Sequence, residues 1–206
     1  GVARLTKDGQ SVSGDTFSMI NLPSGELLMA LSDGMGSGTS AFDDSKNVIE
    51  LLEQMSEAGF SQTSAIRLIN SLYMSDQEFE NYATLDISLI NLYKGECSFL
   101  KNGAVGTYVL NQGKMYCIEG QSLPMGVVSD AEPYIGKMSL YPGDYVIMMT
   151  DGVADMFSQE RYNLEKFIKQ IEIVNPGDMA QAIALGDTGL SQLAPLAEGA
   201  QCFADS

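Results

Sequence analysis

Hydrophobic and polar positions along this 206-residue chain alternate between a strand period and a helical one, and each change marks a new group of elements. Between residues 12 and 33, Thr16–Ile20 and Glu26–Ser32 flank the turn string Asn21-Leu22-Pro23-Ser24-Gly25. This is the pattern of two short strands, the second delivering Asp33 at its end. A helical period follows. Val48, Leu51, Leu52 and Met55 recur at i, i+3, i+4 and i+7, with Glu50, Glu53 and Gln54 outside the stripe, and Asp43 or Asp44 stands where an N-cap belongs. Gly59 fits the helix stop, and Ala65, Ile66, Ile69, Leu72 and Tyr73 predict a second helix from Thr63 to Met74. Together they predict an amphipathic helix hairpin over 44–74.

From Thr84 the period becomes two, with Leu85, Ile87 and Leu89 on one face and Asp86, Ser88 and Ile90 on the other. Cys97–Lys101, Thr107–Leu110 and Lys114–Ile118 continue as strands separated by Lys94-Gly95, Asn102-Gly103 and Gln112-Gly113 turns, which reads as a meander. Tyr145–Thr150 is a further apolar strand ending at Asp151-Gly152. Arg161–Ile173 reads as a helix, and a short helix after Pro176-Gly177 runs to Leu185. Strands, helices, then strands again give an α+β class with sheet packed on sheet. Gly186–Ser206 has no periodic run and is expected to be irregular.

Composition narrows the chemistry. Eleven Lys and Arg against 27 Asp and Glu leave a net charge of −16, a field that repels nucleic acid and suits cations or basic protein surfaces. No His is present, which removes Ser-His-Asp triads and imidazole zinc sites, so carboxylates must carry any hydrolytic chemistry. Cys97, Cys117 and Cys202 are odd in number and widely spaced, which fits a reducing, cytoplasmic setting; Cys97 and Cys117, on predicted strands, are expected to be buried and inert. Met35, Met125, Met148 and Met149 read as core filling. No apolar run approaches the ~20 residues that span a bilayer. The chain opens on Gly1 rather than Met, which reads as a piece of a longer protein with room for a membrane anchor upstream.

Three aspartates adjoin glycine at predicted strand ends: Gly14-Asp15, Asp33-Gly34 and Asp151-Gly152. Hard divalent cations want several oxygens at close range, and glycine lets a backbone carbonyl approach where a side chain would obstruct it. Any one such pair is more often plain turn chemistry than a metal site.

The order of the surrounding words goes further. Ser13-Gly14-Asp15, Leu31-Ser32-Asp33-Gly34-Met35-Gly36-Ser37-Gly38, Thr84-Leu85-Asp86-Ile87-Ser88, Leu123-Pro124-Met125-Gly126 and Met148-Met149-Thr150-Asp151-Gly152-Val153 follow one another at compatible spacing. Together they resemble the phosphatase domain of the stage II sporulation protein E family, within the PP2C-like (PPM) metal-dependent serine/threonine phosphatases. The resemblance runs from Val2 to Asp178, giving an expected phosphatase domain over 1–178 and a divergent tail over 179–206. It implies a β-sandwich flanked by helices, with two Mn²⁺ or Mg²⁺ ions at one end. Asp33 resembles the carboxylate bridging both metals, Gly34 the carbonyl ligand, Asp151 a ligand of the second metal and Asp15 an assisting carboxylate. The implied substrate is a phosphoserine anti-anti-sigma factor, whose dephosphorylation releases a sigma factor, and the 44–74 hairpin resembles a regulatory element. Surplus apolar surface on that hairpin would also allow a homodimer, though packing within one chain explains it as well. Leu123-Pro124-Met125-Gly126 is expected to be a structural turn.

One departure stands out. The family closes with an Asp-Asp-x-Thr word before a Val-rich strand, and here only Asp187-Thr188 and Asp205 are near that place. A missing carboxylate would weaken the second metal, so the alternative function is a catalytically impaired, phosphatase-fold regulatory or protein-binding module.

Overall fold

The computed structural model describes residues 1–4, 13–36, 39–75, 82–129, 132–157, 164–171 and 175–186. It divides into two compact units, one of Gly9–Thr150 and one of Gly1–Asp8 with Asp151–Ser206. Among the described residues no helix is long and apolar enough to cross a membrane.

The larger unit contains two antiparallel sheets. Strands β1 (Asp15–Asn21), β2 (Glu26–Asp33), β3 (Leu85–Asn91), β4 (Glu96–Asn102) and β7 (Tyr134–Ser139) form one, in the order β1-β2-β3-β4-β7. Strands β5 (Thr107–Asn111), β6 (Lys114–Ile118) and β8 (Tyr145–Ile147) form the other, in the order β6-β5-β8. Buried Cys97 and Phe99 of β4 meet Val109 of β5, with Ile90, Ile118, Met138, Leu140 and Val146 around them, so an apolar layer joins the sheets. The opposite face of the first sheet is covered by α1 (Thr39–Glu57) and α2 (Gln62–Ser75). Val48, Ile49 and Leu52 of α1 and Ala65, Ile66 and Ile69 of α2 bury against Leu28, Leu85, Ile87 and Leu100. This places a helix layer on a sandwich, as the alternating patterns require.

Several local expectations change. Helix α1 starts at Thr39, ahead of Asp43 and Asp44; Asp44 is buried, and its backbone carbonyl accepts the Tyr73 hydroxyl at 2.6 Å. Gly59 does end the helix, with φ +86° and the Phe60 N–H reaching back to Met55 O. The meander breaks after β4. Gly103, at φ +65°, turns the chain out of the first sheet, so β7 rather than β5 becomes the neighbour of β4. The strand expected over Tyr145–Thr150 keeps ladder pairing only through Ile147. Cys97 is buried, where desolvation first and the Asp86 charge second push its thiol up to about 12, but Cys117 is exposed on the edge strand β6. Met125 and Met149 are buried while Met35 is exposed.

The turn at Leu123–Gly126 is structural. Met125 and Ala83 exchange backbone hydrogen bonds, and Gly126, at φ +87°, donates its N–H to Asn70 Oδ1 at 2.9 Å. Asn70, almost fully buried on α2, also donates to Val128 O and Ser129 O. One amide thereby satisfies three backbone groups of the loop.

The smaller unit is helical: α3 (Asp151–Phe157), α4 (Leu164–Ile168) and α5 (Pro176–Leu185). Phe157 and Phe167 meet edge to face at 5.2 Å. Helix α5 has Asn175 as N-cap, accepting from the Asp178 N–H at 3.0 Å, and Gly186 in the left-handed region at its end. It spans the expected boundary at 178/179. Positions 161–163, 172 and 173 of the helix expected over Arg161–Ile173, and the expected irregular stretch from Asp187 onward, lie outside the described residues.

Candidate metal centre

Strands β1 and β2 place two of the three aspartates opposite each other. The register pairs Asp15 with Asp33 at the strand ends. The Gly34 N–H donates to Gly14 O at 3.3 Å, so Gly14 and Gly34 form a hydrogen-bonded rank and Asp15 and Asp33 a non-hydrogen-bonded one. Residues in such a rank have Cα atoms about 4.5 Å apart and side chains closer together than in the alternate rank. Two carboxylates set this way repel each other unless something positive lies between them.

The backbone around them is fixed from the other side. Asp33 donates its N–H to Thr84 Oγ1 at 3.1 Å, and its carbonyl accepts the Thr84 N–H at 2.9 Å. Ser32 Oγ donates to Thr84 O, and the Thr150 hydroxyl donates to Asp15 Oδ2 at 3.1 Å. The Thr84 word thus acts as a clamp on the Asp33 strand end.

Close approach requires one glycine and favours another. A Cβ on Gly34 would lie 1.9 Å from the Ala41 carbonyl oxygen of α1, and a Cβ on Gly14 would lie 3.3 Å from Gly34 O and 3.8 Å from Asp33 Oδ1. The Gly34 carbonyl and the Asp33 carboxylate therefore share the side left open by Gly14. Gly34→Ala is expected to force α1 off β2, costing about 1–3 kcal/mol as overpacking does. Thermal melts and Mn²⁺ titration check this together, and a variant that melts and binds as the parent does would show the contact to be slack.

The structure brings Asp15, Asp33 and Gly34 together. Asp151 is an exposed residue at the start of α3, in the other unit, immediately after Thr150. Among the described residues no group of three or more His, Cys, Asp or Glu side chains stands where it could hold a metal ion. What the larger unit offers is two carboxylates and a glycine carbonyl, all oxygen donors, which is the chemistry Mg²⁺ or Mn²⁺ prefers. The donor set fits such an ion.

Sequence comparison decides the family. The sequence model of the Stage II sporulation protein E (SpoIIE) family matches residues 23–192. The chain belongs to the SpoIIE family. It is 34% identical over 186 residues to Stage II sporulation protein E of Priestia megaterium, a match covering 89% of this chain and 32% of that protein. The chain thus spans about a third of that SpoIIE relative. The structure of the PP2C phosphatase domain with a fragment of the regulatory domain of SpoIIE from Bacillus subtilis superposes with a TM-score of 0.80 at 30% identity, covering 91% of this chain and 55% of that one. RsbX in complex with magnesium shares the fold, with a TM-score of 0.60 at 24% identity over 78% of this chain and 80% of that one. The SpoIIE-family chain therefore has the fold of a PP2C-type serine/threonine phosphatase domain.

Not every residue that matters was visible in the motifs. No motif marks β7, α3 or a buried Asp86–Lys101 pair. Asp86 is buried in the sandwich, where desolvation raises its carboxyl against the opposing pull of Lys101; burial lowers the Lys101 ammonium against the pull of Asp86. A signal for the pair existed. A hairpin folded about Lys94-Gly95 sets residues 86 and 101 opposite one another, and opposite charges at facing positions are a pairing cue.

Proposed function

We propose that this chain is a metal-dependent serine phosphoprotein phosphatase acting on a phosphoserine protein of the anti-anti-sigma-factor kind, in control of sporulation-type sigma-factor release. One observation carries the reading: Asp15 and Asp33 face each other in a close-packed rank, with the Gly34 carbonyl on the side that Gly14 leaves open. Asp15, Asp33 and Gly34 would hold a Mn²⁺ or Mg²⁺ ion, and Asp151, next along the chain from Thr150, is the ligand assigned to a second ion. Such ions supply a Lewis acid and lower the pKa of bound water towards neutrality. The chain's own contribution is orientation. Thr150 holds one Asp15 oxygen, while Thr84 fixes the Asp33 backbone so that its carboxylate cannot swing with a frayed strand end.

The α1–α2 pair, with Leu68 and Leu72 exposed on α2, is assigned a regulatory role and a homodimer contact. A membrane anchor is assigned to sequence upstream of Gly1. A second reading, a catalytically impaired module that binds its partner without turnover, draws on the lack of any converging group of three ligands among the described residues.

The test is phosphate release from a phosphoserine anti-anti-sigma-type protein as Mn²⁺ is titrated. Release that saturates with Mn²⁺ and stops with a chelator is expected. Retained binding of that protein without release at any Mn²⁺ concentration would overturn the enzymatic reading in favour of the binding module.

A further inference from the structure

The sandwich interior holds a charge pair that the metal centre does not use. Lys101 on β4 stands opposite Asp86 on β3, and their side chains are 0% and 3% exposed. Lys101 Nζ lies 2.7 Å from Asp86 Oδ2 and donates to Val105 O and Thr107 Oγ1, each at 2.7 Å. The Thr107 hydroxyl in turn donates to Asp86 Oδ2 at 2.6 Å. An ammonium has three donors, and here all three are used. Asp86 and Lys101 belong to the first sheet, whereas Val105 and Thr107 lead into and open β5 of the second.

Stability alone does not account for this arrangement. The desolvation of a buried ion pair cancels most of its attraction, and well-packed apolar replacements are often neutral or stabilising. Asp86 Oδ1 and, two residues along the same face, Ser88 Oγ have no hydrogen-bond partner, which adds to the cost. An ion pair with fixed acceptors supplies direction, which an apolar pair cannot.

The register shows what is directed. Asp86 pairs with Leu31, two residues before Asp33 on β2, so the charge pair lies one step into the sandwich from the Asp15–Asp33 rank. In the second sheet β8 runs antiparallel to β5 with Ile147 opposite Tyr108, so the chain leaving β8 heads for the Thr107 end of β5. Three residues on it reaches Thr150, whose hydroxyl holds Asp15. We propose that Lys101 is a positioning residue: anchored on Asp86, it fixes the start of β5 and, through the β5–β8 pairing, sets Thr150 against Asp15 and so orients the carboxylates that bind the cation. The inference rests on the phosphatase reading for its activity readout, and Mn²⁺ affinity tests it separately.

The experiment compares the parent chain with the double variant Lys101→Met, Asp86→Leu, and with Thr107→Val, which removes one hydroxyl and leaves the ion pair. Titration calorimetry with Mn²⁺ alone is expected to show the dissociation constant raised at least tenfold in the double variant, with little change in melting temperature, and about threefold in Thr107→Val, whose melting temperature should fall because a buried Lys101 donor loses its acceptor. Phosphate release at saturating Mn²⁺ should fall at least tenfold in the double variant, since a misplacement of 1 Å can cost about 100-fold. Should the double variant fail to fold, Thr107→Val decides. Parent-like Mn²⁺ affinity in whichever variant folds overturns the positioning role. A parent that binds Mn²⁺ and releases no phosphate, beside variants that bind it weakly, upholds the positioning role and removes the phosphatase reading. A parent that binds no Mn²⁺ overturns both.

Discussion

Asp33→Asn is expected to reduce Mn²⁺-dependent phosphate release at least ~100-fold while leaving the metal-free protein as stable as its parent or slightly more so. The activity loss follows from removing a carboxylate that would touch the ion, because even partners one shell further out cost about 10–100-fold when deleted. The stability effect has the opposite sign for a geometric reason. Asp15 and Asp33 occupy facing positions in a non-hydrogen-bonded rank, where like charges are destabilising by a fraction of a kcal/mol to about 1 kcal/mol. Asparagine keeps the shape and the backbone bonds to Thr84 while removing one of the two charges. Denaturant melts with and without Mn²⁺ separate the two effects. Without the ion the variant should match or exceed the parent; with it, the parent should gain stability in proportion to ln(1 + [Mn²⁺]/Kd) and the variant should not. A variant losing more than about 1 kcal/mol in the absence of metal would make Asp33 a structural residue instead.

Elements whose residues follow one periodic rule were visible in the sequence: the α1 stripe from Val48 to Met55, the α2 stripe from Ala65 to Tyr73, and the β1–β2 hairpin around Pro23-Ser24-Gly25. The Asp15–Asp33 juxtaposition follows from that hairpin, because its turn fixes the register and hence the facing pair. Elsewhere tertiary context overrides local chemistry. Asn102-Gly103 has the composition of a hairpin turn, yet Gly103 packs so tightly on Pro124 that a Cβ would lie 2.5 Å from its ring, and the chain leaves for the second sheet. Gly136 interrupts β7 and most of its side chains are exposed on a sheet edge, so it shows little apolar alternation. Asp43 and Asp44 have the composition of caps, but the helix continues back to Thr39 and the buried Asp44 instead receives the Tyr73 hydroxyl on its backbone carbonyl. Asp151 is legible only as a word in a motif, since no local pattern says which carboxylates it should meet.

Lys101→Met alone is expected to cost about 3–5 kcal/mol at neutral pH, a large fraction of the ~5–15 kcal/mol that holds a domain together. Methionine fills much the same space as the lysine stem, so little of the loss comes from packing. It comes from Asp86, which would keep its place in the sandwich with only Thr107 to bond it. The pH dependence follows from the direction of its shift. Burial already raises the Asp86 carboxyl above its ordinary 3.8, with Lys101 the principal opposing influence, so removing Lys101 drives it higher still. A carboxyl whose folded pKa exceeds its unfolded one destabilises the protein increasingly as pH rises from the unfolded value to the folded one. The deficit of Lys101→Met should therefore shrink by up to about 1.4 kcal/mol per pH unit on acidification from pH 7 towards pH 4. Denaturant melts of parent and variant at pH 7 and pH 5 measure it, and a deficit equal at both would place the cost in packing. Adding Asp86→Leu removes the stranded charge and should restore stability without restoring the direction that Lys101 supplied. The single and double variants together thus separate what the pair contributes to folding from what it contributes to the metal centre.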